Sequence, residues 1–210
     1  MESTQAQAVN AAVPVAPEDR ARADMYALIA SLFYGPPDPG LLAAIAQAAR
    51  LPEQPDSPLA EAWRGLQMAA AKADPEAVRD EYDRLFVSVG QAPVMLYGSY
   101  YLAGFLHELP LVDLRDELAR LGFMRRTGTA EPEDHLSALC DVMRMLITKG
   151  EEGAAGLQIQ QDFFGRFVRP WYERLMAEIA KAQGADFYQA VGRFAQAYLD
   201  IETRSFEIEL

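Results

Sequence analysis

The sequence predicts an all-α helical bundle of about nine helices, and three observations carry that expectation. Apolar residues recur at i, i+3, i+4 and i+7 along most of the chain, the spacing that puts them on one face of a helix. No segment alternates with period two over a useful length, so strands are not expected. Prolines preceded by Asp or Ser, and glycines following apolar stripes, divide the chain into helix-sized pieces. No internal repeat is visible, and 210 residues suffice for one substantial core or two intimately packed halves.

Residues Met1 to Pro17 are rich in Ala, Gln, Val and Pro without a helical stripe and read as a mobile tail. Glu18 and Asp19 start a helix whose apolar face is Met25, Leu28, Ile29, Leu32 and Phe33, stopped by Gly35-Pro36-Pro37. A short helix follows Asp38 and carries Leu41, Leu42 and Ile45. Ser57-Pro58 reads as an N-cap and first helical position for a helix through Trp63, Leu66 and Met68. Asp74-Pro75 repeats that signal, and Val78, Tyr82, Leu85, Phe86 and Val89 make one stripe, predicting a single helix.

Gly90 to Gly98 is an apolar loop, in which Val94, Met95, Leu96 and Tyr97 are expected to tuck into the core or to await a partner. Ser99 can start a helix through Phe105, ended near Pro110, and Leu111, Leu114, Leu118 and Leu121 line the next, closed by Gly122. After a glycine-containing link at 150–156, Gln158 to Arg169 buries Phe163, Phe164, Phe167 and Val168. Pro170 interrupts the pattern because proline cannot donate the i to i−4 bond. Trp171, Leu175, Met176 and Ile179 resume it, and Phe187, Val191, Phe194, Tyr198 and Ile201 mark a long last helix.

One stretch, Glu131-Pro132-Glu133-Asp134-His135-Leu136, combines a histidine, three carboxylates and a helix start. Pro132 suits a first helical turn, which would place Glu133 and Asp134 where negative charge meets the positive end of the helix dipole. Leu136, Leu139, Cys140, Met143, Leu146 and Ile147 follow at helical spacing and predict one buried face, closed by Lys149 and Gly150.

Composition narrows the function. Lys plus Arg number 19 and Asp plus Glu 31, a net charge of −12, which argues against a nucleic-acid backbone or an anionic membrane as main partner. A basic ligand or peptide is favoured instead, although acidity also serves solubility. Cys140 is the sole cysteine, so no intramolecular disulfide and no cysteine-rich zinc site can form. The first residues have no basic segment followed by an apolar core, and no stretch reaches the ~18 apolar residues a membrane span requires. A cytoplasmic protein without stable membrane insertion is expected.

Several blocks together resemble the TorD/DmsD family of molybdoenzyme chaperones, also called redox enzyme maturation proteins, and more distantly the NarJ group. They are Glu81-Tyr82-Asp83-Arg84-Leu85-Phe86, Pro93, Gly98-Ser99-Tyr100-Tyr101-Leu102, the Glu131 to Leu136 block, Phe163 to Phe167 with Pro170-Trp171, and Phe187-Tyr188. The similarity runs from about Tyr26 to about Tyr198, and the Glu-Pro-x-Asp-His block is its most specific part. It implies a helical N-terminal half over 18–126, a link at 127–130 and a C-terminal half over 131–210. It also implies a role: binding the twin-arginine signal peptide and apo-catalytic subunit of a molybdopterin oxidoreductase, and delaying export until the cofactor is inserted. Tyr82, Leu85 and Phe86 fall on the family's peptide-binding helix, and Asp134 and His135 on its most characteristic pair. Where several members carry Pro-Trp before the Gly-Ser, this chain has Leu96 and Tyr97.

A twin-arginine leader presents two guanidinium groups and then an apolar run, so its receptor should pair carboxylates with an apolar groove. Glu131, Glu133 and Asp134 are the candidates for the arginines, and Leu85, Phe86, Met95, Leu96 and Tyr97 for the apolar run. Leu85 and Phe86 point about 100° apart on a helix, so at least one belongs to the core. The carboxylates could instead serve only a helix dipole.

A small metal-dependent helical enzyme is the competing reading. It lacks the Glu-x-x-His pairs of a di-iron bundle, since Pro132 stands three before His135 and Gly104 three before His107. No glycine-rich phosphate loop and no nucleophile elbow occurs, so no cofactor and no catalytic residue is assigned. A scaffold or oligomerisation module would need sustained heptads, whereas these stripes change register at every proline. Arg125-Arg126 is an internal arginine pair followed by Thr-Gly-Thr rather than an apolar run, so the chain reads as a receptor of such signals, not a bearer. Monomer and domain-swapped dimer both remain open.

Overall fold

The computed structural model describes residues 15–51, 57–87, 92–104, 109–125, 131–149 and 153–208. The expected tail up to residue 14, the link at 127–130 and His107 lie outside the described residues. Ten α-helices are described, close to the nine expected, with no strand among these residues. They are α1 (Pro17–Tyr34), α2 (Pro39–Gln47), α3 (Pro58–Lys72), α4 (Pro75–Tyr82), α5 (Gly98–Ala103), α6 (Leu109–Arg120), α7 (Leu136–Lys149), α8 (Gly153–Phe167), α9 (Tyr172–Lys181) and α10 (Phe187–Ile208).

The start signals act through the chemistry expected of them. Proline stands in the first turn of each of the first four helices. The Asp38 carboxylate accepts from Leu41 N at 2.7 Å, Ser57 Oγ from Ala60 N at 3.3 Å and the Asp74 carboxylate from Glu76 N at 3.3 Å. Each satisfies an amide that the helix itself cannot. After α5 and α6 the chain turns through Gly104 at φ +83° and Gly122 at φ +76°, a left-handed conformation that glycine adopts without penalty.

The core is one cluster in which α1 lies along α7, and α10 packs against α3 and α9. Tyr26, Ile29, Leu32 and Phe33 of α1 meet this core, as do Leu136, Leu139, Cys140 and Met143 of α7. Two buried carboxylates lock α10 in place. Glu202, 2% exposed, accepts from Arg22 Nε and Nη2 at 3.0 and 2.8 Å and from the Tyr26 hydroxyl at 3.0 Å. Glu81 caps the start of α10, accepting from the amides of Asp186, Phe187 and Tyr188 at 2.9, 3.1 and 2.7 Å.

Three expectations about the elements need correction. The helix predicted from Asp74 to Val89 is α-helical only to Tyr82, and Asp83–Val87 form a π-helical turn. The wider turn accommodates an extra residue, and the Leu85 carbonyl accepts from Val94 N at 3.1 Å, tying this turn to the apolar segment that follows. The helix expected to start at Pro132 begins only at Leu136, so Glu133 and Asp134 do not occupy its first turn. Their backbone is committed elsewhere, as described below. The helix expected from Gln158 starts earlier, at Gly153.

Candidate functional site

The segment 94–98 and the turn 131–136 run antiparallel and meet at a single bridge between Tyr97 and His135. Leu136 N donates to Leu96 O at 2.9 Å and Gly98 N to Asp134 O at 2.9 Å. Those two bonds flank Tyr97 and His135, making them the non-hydrogen-bonded kind of antiparallel pair, in which side chains stand close. Their rings accordingly meet edge to face, with centroids 5.2 Å apart and planes at 75°. This pairing takes the backbone groups that an earlier helix start at Pro132 would have used.

His135 then serves as the cap of α7. Its Nδ1 accepts from Ser137 N at 3.1 Å, and its carbonyl accepts from Leu139 N at 3.1 Å. An accepting Nδ1 places the neutral ring's hydrogen on Nε2. Burial lowers the imidazole pKa to about 4, against the opposing pull of the Glu131 and Asp134 charges. The histidine is therefore neutral near pH 7.

The three carboxylates of the turn have different surroundings. Glu133 faces α6: Arg115 donates to its Oε2 from Nε at 3.1 Å and Nη2 at 2.9 Å, and Arg125 Nη1 stands 3.7 Å from its Oε1. Burial would raise the Glu133 carboxyl, but the Arg115 hydrogen bond, its own backbone amide and the two positive charges outweigh it and hold it below the usual range. Glu131 accepts the Tyr97 hydroxyl on its Oε2, while its backbone carbonyl accepts from Arg125 Nη2 at 3.1 Å. Burial, reinforced by that bond, pushes the Tyr97 phenol well up.

Asp134 is 4% exposed. Its Oδ2 accepts from Ser99 N at 2.8 Å at the start of α5, whereas its Oδ1 is buried without a hydrogen-bond partner. A buried acceptor left unpaired carries a desolvation cost of about 1–3 kcal/mol that a donor would relieve.

The apolar candidates are divided by depth. Leu85 and Leu96 are 1% and 3% exposed and belong to the core, while Phe86, Met95 and Tyr97 are half-buried. Tyr82 is buried, its hydroxyl donating to Phe33 O at 3.1 Å, and its ring packs with Phe86 and Tyr188 at centroid distances of 5.1 and 5.7 Å. Burial pushes the Tyr82 phenol up to about 12, with the Glu131 and Asp83 charges adding to the rise. The structure thus gathers Tyr97, Glu131, Asp134 and His135, with Tyr82 within electrostatic reach of Glu131 and Phe86 packed on Tyr82, while Leu85 and Leu96 are buried in the core. Glu133 is turned toward α6 instead.

Sequence reasoning did not find Arg115, Arg125 or Ser99 as neighbours of the turn, because all three arrive from other elements. Glu81 does carry a sequence signal: a charged residue sits between the buried Val78, Tyr82 and Leu85 on an otherwise apolar stripe. Among the described residues, no group of three or more His, Cys, Asp and Glu is placed to hold a metal ion. Nor is any helix among them long and apolar enough to cross a membrane.

Comparison with known proteins agrees with this architecture. No curated protein matches the chain. In structure it is similar to an Archaeoglobus fulgidus protein assigned as a redox enzyme maturation protein. The two share 21% identity at a TM-score of 0.53, over 90% of this chain and 99% of the other. At that identity the likeness speaks for the fold. The family model described as nitrate reductase delta subunit matches residues 52–177, more than half of the chain and the whole of the acidic turn with the elements around it. The chain therefore belongs to the nitrate reductase delta subunit family, a TorD-like chaperone family.

Proposed function

We propose that this chaperone binds the twin-arginine leader and the apo-catalytic subunit of a molybdopterin oxidoreductase in the cytoplasm, and delays export until the cofactor is inserted. The observation that carries this reading is the Asp134 carboxylate, buried within the acidic turn with Oδ1 unpartnered. A guanidinium presents hydrogen-bond donors with a positive charge, so one such group reaching Oδ1 would satisfy the acceptor and neutralise the carboxylate together. Phe86, Met95 and Tyr97 offer half-buried apolar area for the residues that follow the arginines. Action by binding rather than turnover fits a histidine whose Nδ1 is committed to the α7 cap.

The test is calorimetric titration of the full chain with synthetic twin-arginine leaders from molybdopterin oxidoreductases of the same genome. One leader is expected to bind, and Asp134→Asn to weaken it by about tenfold or more, the worth of a charge-assisted hydrogen bond. Absence of binding to every leader, or an unchanged affinity in Asp134→Asn, refutes the proposal. In cells, Asp134→Ala should lower export of active client while the purified variant keeps its helical signal.

A further inference from the structure

Two successive amides of α5 grip Asp134. Gly98 N donates to its carbonyl at 2.9 Å and Ser99 N to its Oδ2 at 2.8 Å. The direction in which the unpartnered Oδ1 points therefore follows the placement of residues 98 and 99. That placement is set from α9. Trp171, 1% exposed, stands just before α9, and its Nε1 donates to Phe167 O at 2.6 Å, which fixes the indole. The indole edge lies against Gly98: a Cβ there would stand 3.0 Å from Nε1 and 3.2 Å from Cε2, inside the ~3.5–4.0 Å of ordinary contact. The Gly98 backbone lies outside the left-handed region, so the indole, not the conformation, excludes a side chain. The same indole stacks on Tyr101 of α5, with centroids 5.5 Å apart and planes at 15°. The Tyr101 hydroxyl in turn donates to Glu178 Oε2 of α9 at 2.5 Å.

We infer that Trp171 is a positioning residue for leader recognition: by bounding α5 at Gly98 and Tyr101, it fixes where Asp134 directs its unpartnered oxygen. This rests on the leader-binding proposal and deepens it, since Trp171 is buried and acts on the peptide only through Asp134. A recognition site works within about 0.5 Å of its productive geometry, so a small shift of α5 weakens the hold on a guanidinium while the helices stay formed.

The experiment is calorimetric titration of the full chain with a synthetic twin-arginine leader, beside urea midpoints. Gly98→Ala presses on the indole and should weaken the leader about fivefold or more. Trp171→Phe keeps an aromatic ring, gives up the bond to Phe167 and leaves Gly98 loosely bounded, for a loss of about threefold or more. Joined in one chain, the added methyl meets the smaller ring, and the double variant should return to within about twofold of the parent. In an Asp134→Asn background each single loss should shrink below about twofold, because the oxygen being placed no longer carries the charge. A role in folding alone would lower urea midpoints and leave the affinity of the folded fraction unaltered.

Parental affinity in both single variants overturns the inference. So does a double variant that binds no better than Gly98→Ala, or losses of full size in the Asp134→Asn background. If no leader binds the unaltered protein, or Asp134→Asn binds it as well as the parent does, the leader-binding proposal fails and this inference with it.

Discussion

Two helix starts in this molecule each hold a buried carboxylate, and they differ in how far that carboxylate is satisfied. At the start of α10, Glu81 is 5% exposed and accepts three amide hydrogens from Asp186, Phe187 and Tyr188. At the start of α7, Asp134 is 4% exposed and has one oxygen on Ser99 N and the other unpartnered. Glu81 reaches its helix from α4, 105 residues away, and closes the structure. Asp134 sits in a turn before its own helix, and His135 does the capping in its place. Burial of a carboxylate thus marks a structural fastening in one place and an unfilled acceptor in the other. The count of partners separates the two, not the depth.

Removing the closed cap should have the largest effect. Glu81→Ala strands three amides at the start of α10 and should cost about 3 kcal/mol or more in urea unfolding, since each bond to a charged group contributes ~1.5–3 kcal/mol. Glu81→Gln keeps one accepting oxygen and should lie between that variant and the parent. A loss below ~1 kcal/mol for Glu81→Ala would erase the contrast with Asp134.

A pH titration sharpens the open side. The His135 pKa is lowered to about 4 from an ordinary 6.5. Between those values the unfolded chain binds more protons than the native one, so stability rises with pH. This contribution is complete above pH 6.5 and is lost as pH falls toward 4, by up to about 3 kcal/mol. His135→Asn retains a capping acceptor and should flatten that slope, measured as urea midpoints across the window. An unchanged slope would remove His135 from the account.

The smallest effect on stability is expected at Asp134→Asn. The amide oxygen can keep the Ser99 bond, and the unpartnered position merely exchanges one unsatisfied polar atom for another, so stability should change by less than about 1 kcal/mol in either direction. The same variant should lose leader binding, which reverses the order of effects between the two carboxylates. A large loss of stability would mean that Asp134 is a fastening like Glu81.

The acidic turn shows how much of the site could be read early. Its residues, its position before a buried helix and the resemblance it carries were all legible in Glu131 to Leu136. The helix start was misread by four residues because the sequence has no term for the bridge between Tyr97 and His135. That bridge consumes the Asp134 carbonyl and the Leu136 amide through Leu96 and Gly98. Of the four apolar loop residues expected to tuck into the core or to await a partner, Val94 and Leu96 are buried and Met95 and Tyr97 half-buried.

The sequence by itself determined most of the helices, because apolar spacing, proline starts and Asp or Ser caps act within a few residues of one another. Ser57-Pro58 and Asp74-Pro75 needed no distant partner to start α3 and α4. Tertiary structure alone decided that Glu81 caps α10, that Arg115 and Arg125 cover Glu133, and that Asp134 keeps an oxygen unpaired. Those outcomes depend on which side chain from another element arrives within about 3 Å, and hydrogen bonds and ion pairs fall off too steeply with distance for local pattern to specify them.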